Sequence, residues 1–207
     1  MSERTINILI RTSDRPEYFR RCVESIRNQV HTDYRIIVSA DSESTAAYVR
    51  ECGIEPVMVP TYTRNNVDTF PWNLYLNILK LQVKEGFIMF LDDDDFLIDR
   101  HSLEIIDENA SEDALLVYRM VYPDGRILPD DEFFGKTPFE RKHISMQVFC
   151  FNSKYKNRVH FDSKRAGDFR FINQMLTHIK TVLWLDSVLV KLSNFGLNGE
   201  KKDLNNE

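Results

Sequence analysis

Residues 87–91, Phe-Ile-Met-Phe-Leu, run without a break into Asp92, Asp93, Asp94 and Asp95. Five apolar residues after Gly86 predict a buried strand. The four carboxylates that follow cannot be buried with it unless cations meet them. Two carboxylates about 6 Å apart repel by about 3 kcal/mol at an effective dielectric near 20. A fold that accepts this run sets the acids at the strand's end, against a divalent metal, a basic ligand or open water. In open α/β sheets the carboxyl ends of the strands are where ligands bind. A solvated acidic turn is the alternative. Residues 92–113 hold ten acids against one arginine, so the surroundings suit a cation.

The chain before this run alternates strand and helix signals. Residues 6–10 (Ile-Asn-Ile-Leu-Ile) predict a short strand leading into the polar loop 11–15. Pro16 suits a first helical turn, and Phe19, Cys22, Val23 and Ile26 recur at helical spacing, so a helix spans 16–28. A strand over 34–40, a helix over about 45–51 and a strand over 55–59 follow. The β-α-β-α-β order implies parallel strands with right-handed crossovers. Residues 62–71 read as an irregular crossing loop. Leu74, Leu76, Ile78, Leu79, Leu81 and Val83 predict a well-buried helix feeding the strand at 87.

After the acid run the pattern becomes mixed. Residues 114–122 and 126–128, joined through Pro123-Asp124-Gly125, predict a hairpin. Residues 129–143 form a polar loop, 145–151 a strand, 168–178 a helix, and 181–185 and 188–193 two late strands. The tail from 194 to 207 is polar and expected to be mobile. The fold class is therefore α/β, a mainly parallel sheet flanked by helices with a small antiparallel hairpin portion. A single domain is expected over 1–195, in two halves (6–95 and 96–195), with a tail at 196–207.

Composition narrows the partners. A net charge of −5 favours neither nucleic acid nor an anionic membrane as a global partner. The three cysteines are far apart and make no Cys-x-x-Cys pair, which points to a reducing, cytoplasmic compartment and away from structural zinc. No apolar run approaches the roughly 20 residues that span a bilayer.

Three constellations carry chemistry. In an extended run Asp92 and Asp94 share one face and Asp93 and Asp95 the other, so an Asp-x-Asp pair can bridge Mg²⁺ or Mn²⁺ beside a diphosphate. Thr12, Arg15 and Asp41 fall at the same sheet edge. Asp41 suits a base or ribose contact, with a helix-capping role as the alternative. Asp168, at the start of a helix after Gly167, is a candidate general base or simply an N-cap, and the helix dipole would keep its pKa low.

These residues resemble the family 2-like glycosyltransferases of the GT-A fold. The likeness rests on the opening strand, the Thr12-x-x-Arg15-Pro16 loop, the helix ending Ser25-Ile26-Arg27-Asn28-Gln29, and Phe90-Leu91-Asp92-Asp93-Asp94-Asp95. Asn73 and Asn77 lie in the region of the family's Asn-containing helix. Gly167-Asp168 matches its Glu-Asp motif in the second position only. The resemblance implies an inverting transfer from a nucleotide sugar, foremost a UDP-sugar, with Mn²⁺ or Mg²⁺ as cofactor. Asp94 and Asp92 would hold the metal, with Asp95 in reserve. Thr12, Arg15, Asp41, Asn73, Asn77, Asp92 and Asp93 would bind the donor, and Asp168 would be the base.

Residues 151–156 and 167–171 also resemble small stand-alone members found in phages and some bacteria. That likeness implies that the acceptor is either a saccharide or a hydroxylated base in DNA. Arg158, His160, Lys164 and Arg165 would then contact its phosphates, or else form a solvated basic loop. Two other readings compete. One is a non-catalytic nucleotide-sugar-binding module, which Gly167 in place of Glu allows. The other is a sugar nucleotidyltransferase, disfavoured because residues 11–16 contain no glycine.

Overall fold

The computed structural model describes residues 3–63 and 68–193. The first half follows the predicted alternation. Strand β1 (Ile6–Arg11), helix α1 (Pro16–Arg27), β2 (Tyr34–Ala40), α2 (Glu43–Glu51), β3 (Val57–Met58), α3 (Asn73–Leu81) and β4 (Phe87–Asp92) follow in order. β1 lies between β2 and β4, parallel to both, with Arg11 level with Asp92. β3 is shorter than expected because Pro56 and Pro60 flank it and neither offers an N–H to a ladder. Gly86 enters β4 at φ +89°, where a Cβ would lie 2.2 Å from the Thr5 carbonyl oxygen. Only glycine fits that approach.

The second half is antiparallel to the first at one junction. Two elements that the sequence pattern hid come first, β5 (Asp95–Leu97) and α4 (Ser102–Asn109), then β6 (Ala114–Val121) and β7 (Ile127–Leu128) as the expected hairpin. The segment predicted as one strand over 145–151 is a 3₁₀ turn, Met146–Val148, followed by β8 (Phe149–Asn152). Helix α5 spans Gly167–Met175, and the two expected late strands are one strand, β9 (Thr181–Leu192), with its register to β6 broken between Val117 and Met120. The expected tail at 194–207 and part of the crossing loop (64–67) lie outside the described residues.

The sheet order is β3-β2-β1-β4-β8-β6-β9-β5, with β7 beside β6. Residues 93–94 alone join β4 to β5, although three strands separate the two in the sheet. The sheet therefore bends back on itself, as the bulged pairing of β9 permits, and the acid run lies across the seam. Beneath this edge Phe90 packs against Phe149, Phe151, Phe161 and Phe171, and the Phe161 and Phe171 rings stack 4.1 Å apart. This aromatic core joins the parallel half to α5.

Candidate active site

The acid run is not extended. It turns at residues 93–94, so Asp95 joins Asp92 and Asp94 and does not share a face with Asp93 as expected. Carboxylate oxygens of Asp92, Asp94 and Asp95 gather within 4.8 Å of one another, and Asp93 turns away from them. Asp93 is fully buried. It accepts hydrogen bonds from Thr12 Oγ1 (2.6 Å) and from Arg15 Nε (3.2 Å) and Nη2, while Tyr48 completes the set through Thr12 (2.7 Å). Arg15 also reaches Asp94 at 2.8 Å. Burial pushes the Asp93 carboxyl up to about 7 against the pull of Arg15. Thr12 and Arg15, expected on the donor, are thus turned onto the acid run, and buried Asp93 has no oxygen open to a ligand.

Asp92 and Asp95 are held by a different pair of residues. Arg11 Nε donates to Asp92 Oδ1 at 2.9 Å, and Gln147 Nε2 bridges Asp92 Oδ2 (2.8 Å) and Asp95 Oδ2 (2.9 Å). Burial, reinforced by the neighbouring carboxylates, raises Asp95 well above the ordinary range, and burial raises Asp94 as well. A cation among the three would relieve this repulsion. Oxygen-only carboxylate ligands suit a hard ion such as Mn²⁺ or Mg²⁺ and not zinc. Asp92, Asp94 and Asp95 are therefore a set that fits the divalent ion expected from the sequence, with the reserve residue inside the set.

Asp168 stands across a cavity of about 150 Å³ lined by Arg11, Asn73, Asp92, Phe161 and Gly167. The helix start does not depress its pKa as expected. Burial raises it, opposed by its hydrogen bond from the Phe169 amide (2.9 Å) and by Arg11. A carboxylate with a raised pKa facing a metal-competent edge can receive a proton from a hydroxyl bound between them.

Asp41 is free of capping duty, because Ser42 caps α2 by accepting from the Thr45 amide at 3.1 Å. Its carboxylate instead accepts from Tyr75 Oη (3.2 Å), and Tyr75 stacks on half-exposed Tyr62 at 5.5 Å. Asn77 commits both amide atoms to the backbone of Phe161, at 2.8 and 2.9 Å. Asn73 points to the carbonyls of Asp162 and Lys164 and accepts from Arg11 Nη1. Asn73 also lines the cavity beside Asp168, whereas both amide atoms of Asn77 are taken by the backbone. Arg158, His160, Lys164 and Arg165 are exposed. Nearby Asp162 is neutralised by Arg170 at 2.5 Å.

Sequence reasoning missed Arg11, Gln147, Tyr48 and Tyr75. Arg11 was findable: it directly follows the first strand, at the same carboxyl edge as Asp92. Gln147 was hidden inside a segment read as a regular strand.

Among the described residues no helix is long and apolar enough to cross a membrane. A comparison with curated proteins gives no match. Solved structures do match. S. aureus TarS 1-349 shares 17% identity over 91% of this chain and 60% of its own, with a TM-score of 0.69. The same protein in complex with UDP-GlcNAc gives 16%, 90% and 58% at 0.69. The mannosyltransferase PcManGT from Pyrobaculum calidifontis, in complex with GDP-Man and Mn²⁺, gives 12%, 90% and 56% at 0.65. The chain thus spans about 60% of the length of these structures, and the shared architecture is the GT-A fold. The sequence model described as Glycosyl transferase family 2 matches residues 7–149, well over half of the chain. Together with the acidic edge at Asp92–Asp95, that match makes this chain a member of glycosyl transferase family 2.

Proposed function

We propose that the chain is a metal-dependent, inverting glycosyltransferase that moves a sugar from a nucleotide-sugar donor to an acceptor hydroxyl, with residues 1–195 as one catalytic unit in a cytoplasmic setting. The observation that carries this reading is the convergence of Asp92, Asp94 and Asp95 within 4.8 Å of one another, with Asp92 also lining the cavity that Asp168 faces. The structural neighbours, which bind UDP-GlcNAc or GDP-Man, support a nucleotide-sugar donor, and a UDP-sugar is our first choice.

Asp94, Asp92 and Asp95 would hold Mn²⁺ or Mg²⁺, which when bound offsets the charge of the departing diphosphate. Asp41 and the stacked Tyr62–Tyr75 pair offer a polar edge and an aromatic face to the base. Asp168 takes the proton of the acceptor hydroxyl as its oxygen bonds to the anomeric carbon. The bond from that carbon to the diphosphate breaks on the opposite face, which inverts the configuration. Arg158, His160, Lys164 and Arg165 would meet phosphates of the acceptor, or saccharide hydroxyls if the acceptor is a glycan.

Thermal-shift measurements with UDP- and GDP-sugars, with and without Mn²⁺, followed by transfer assays on saccharides and on hydroxymethylated DNA, test this reading. Mn²⁺-dependent stabilisation by one donor and transfer to one acceptor class are expected. Binding without hydrolysis or transfer across the panel would reduce the chain to a binding module, and no nucleotide binding at all would overturn the proposal.

A further inference from the structure

Helix α3 presents a polar stripe to the segment that leads into Asp168. Asn73, Asn77 and Lys80 are spaced i, i+4 and i+7, so they share one face. Their partners run in the opposite direction along the chain. Asn73 Nδ2 donates to the carbonyls of Lys164 and Asp162 (3.4 Å each), Asn77 pairs with Phe161 through both amide atoms, and Lys80 Nζ donates to the Val159 carbonyl. From its other side the segment is tied by the Phe70 amide to Ser163 (2.6 Å), by the Arg165 amide to Asp68 (2.9 Å) and by a bridge between Thr69 and Lys164. Residues 159–165 are therefore clamped in register two residues before α5 begins.

The top rung does more than clamp. Arg11 carries only donors, so Asn73 must turn Oδ1 to Arg11 and Nδ2 to the acceptor-side segment. Arg11 in turn holds Asp92. One planar carboxamide thus connects the acidic edge to the segment that carries Asp168. Gly167 fits the same arrangement. A Cβ there would lie 2.7 Å from Asn73 Nδ2 and 3.5 Å from the Asp162 carbonyl. Its φ is not in the left-handed range, so the requirement for glycine is steric and is set by Asn73. The amide fills the space into which a side chain at 167 would project.

We propose that Asn73 is a positioning residue for the transfer, fixing the distance between Asp92 and Asp168 through Arg11 on one side and residues 162–167 on the other, and that Gly167 is glycine to admit it. This rests on the transferase reading above. A displacement near 1 Å at a reacting group costs on the order of 10²-fold in rate, so a device of this kind has a measurable effect.

The test compares Asn73→Ala, Gly167→Ala and the double variant. Each single change is expected to lower kcat about 10- to 100-fold, with UDP affinity in Mn²⁺ held within about twofold. The double variant, freed of the clash, should be no worse than Asn73→Ala alone. Amide hydrogen exchange supplies a readout independent of activity. Asn73→Ala should lose protection over residues 161–168 and keep it in β1 and β4. Losses that multiply in the double variant, or a tenfold fall in nucleotide affinity from Asn73→Ala, would overturn the positioning role. Unchanged exchange over 161–168 would overturn the clamp. If Gly167→Ala does not fold, the double variant and the exchange experiment still decide the matter. A wild-type chain that binds nucleotide without transfer removes the transferase reading and leaves the exchange result to judge the clamp on its own.

Discussion

Replacing Lys80 with methionine should stabilise the protein at neutral pH and destabilise it in alkali. Lys80 is 1% exposed on α3, and among the described residues no carboxylate forms an ion pair with it. Its ammonium meets the Val159 carbonyl, the Phe171 ring at 4.8 Å and the Phe161 ring at 5.9 Å. Burial lowers its pKa from 10.5 to about 7. Below 10.5 the unfolded chain binds this proton, and the folded chain binds it only below about 7. Between those values the unfolded state holds more protons, so stability rises with pH. The whole shift corresponds to about 5 kcal/mol, of which about 4 kcal/mol applies at pH 7 and about 1 kcal/mol at pH 10. Methionine removes this penalty but leaves the buried Val159 carbonyl without its donor, a loss of about 2 kcal/mol. The expected net change is a gain of about 2 kcal/mol at pH 7, a crossover near pH 9 and a loss of about 1 kcal/mol at pH 10. Urea unfolding of both proteins at these pH values, followed by tryptophan fluorescence, measures it. A variant less stable than wild type at pH 7, or a gain that does not shrink with pH, would refute the reasoning.

Three further outcomes concern the acidic edge and Asp168. Asp94→Ala should lower Mn²⁺-dependent nucleotide affinity at least about tenfold while the fold survives, because Arg15 keeps buried Asp93 as its partner; calorimetric titration with unchanged affinity would remove Asp94 from the metal set. Asp168→Asn should leave donor affinity intact and cut turnover about 10²-fold or more. In the wild type, activity should fall on the acid side as Asp168 takes up a proton, at a pH above the ordinary 3.8 because burial raises it. Wild-type turnover in the Asn variant would return Asp168 to a capping role.

The parallel half was legible because its physics is local. Apolar runs at 6–10, 34–40 and 87–91 alternate with amphipathic helices, and the crossover rule leaves few ways to arrange them. The carboxyl-edge position of Thr12, Arg15, Asp41 and the acid run followed from that arrangement. The direction of each side chain did not. Assuming an extended acid run put Asp95 on the face opposite Asp92 and Asp94, whereas a turn at 93–94 brings it to them and leaves Asp93 directed inward to Thr12 and Arg15. β5 is three residues within an acidic stretch, too short for periodicity to register, and α4 buries only Ser102, Leu103 and Ile106. Asn73 and Asn77 were noticed as residues but not as partners of 161–164, because that pairing spans more than 80 positions.

The seam in the sheet also has a consequence for the order in which the site is built. Asp95 is fixed by pairing with Leu192 at the end of β9, although Asp92 is already held in the parallel half by β1. The match to the family ends at residue 149, more than thirty residues before that strand begins. Domains emerge from the ribosome amino terminus first, so a nascent chain can complete the parallel strands while the third carboxylate is still unplaced. The three carboxylates come together only when β9 pairs with β5.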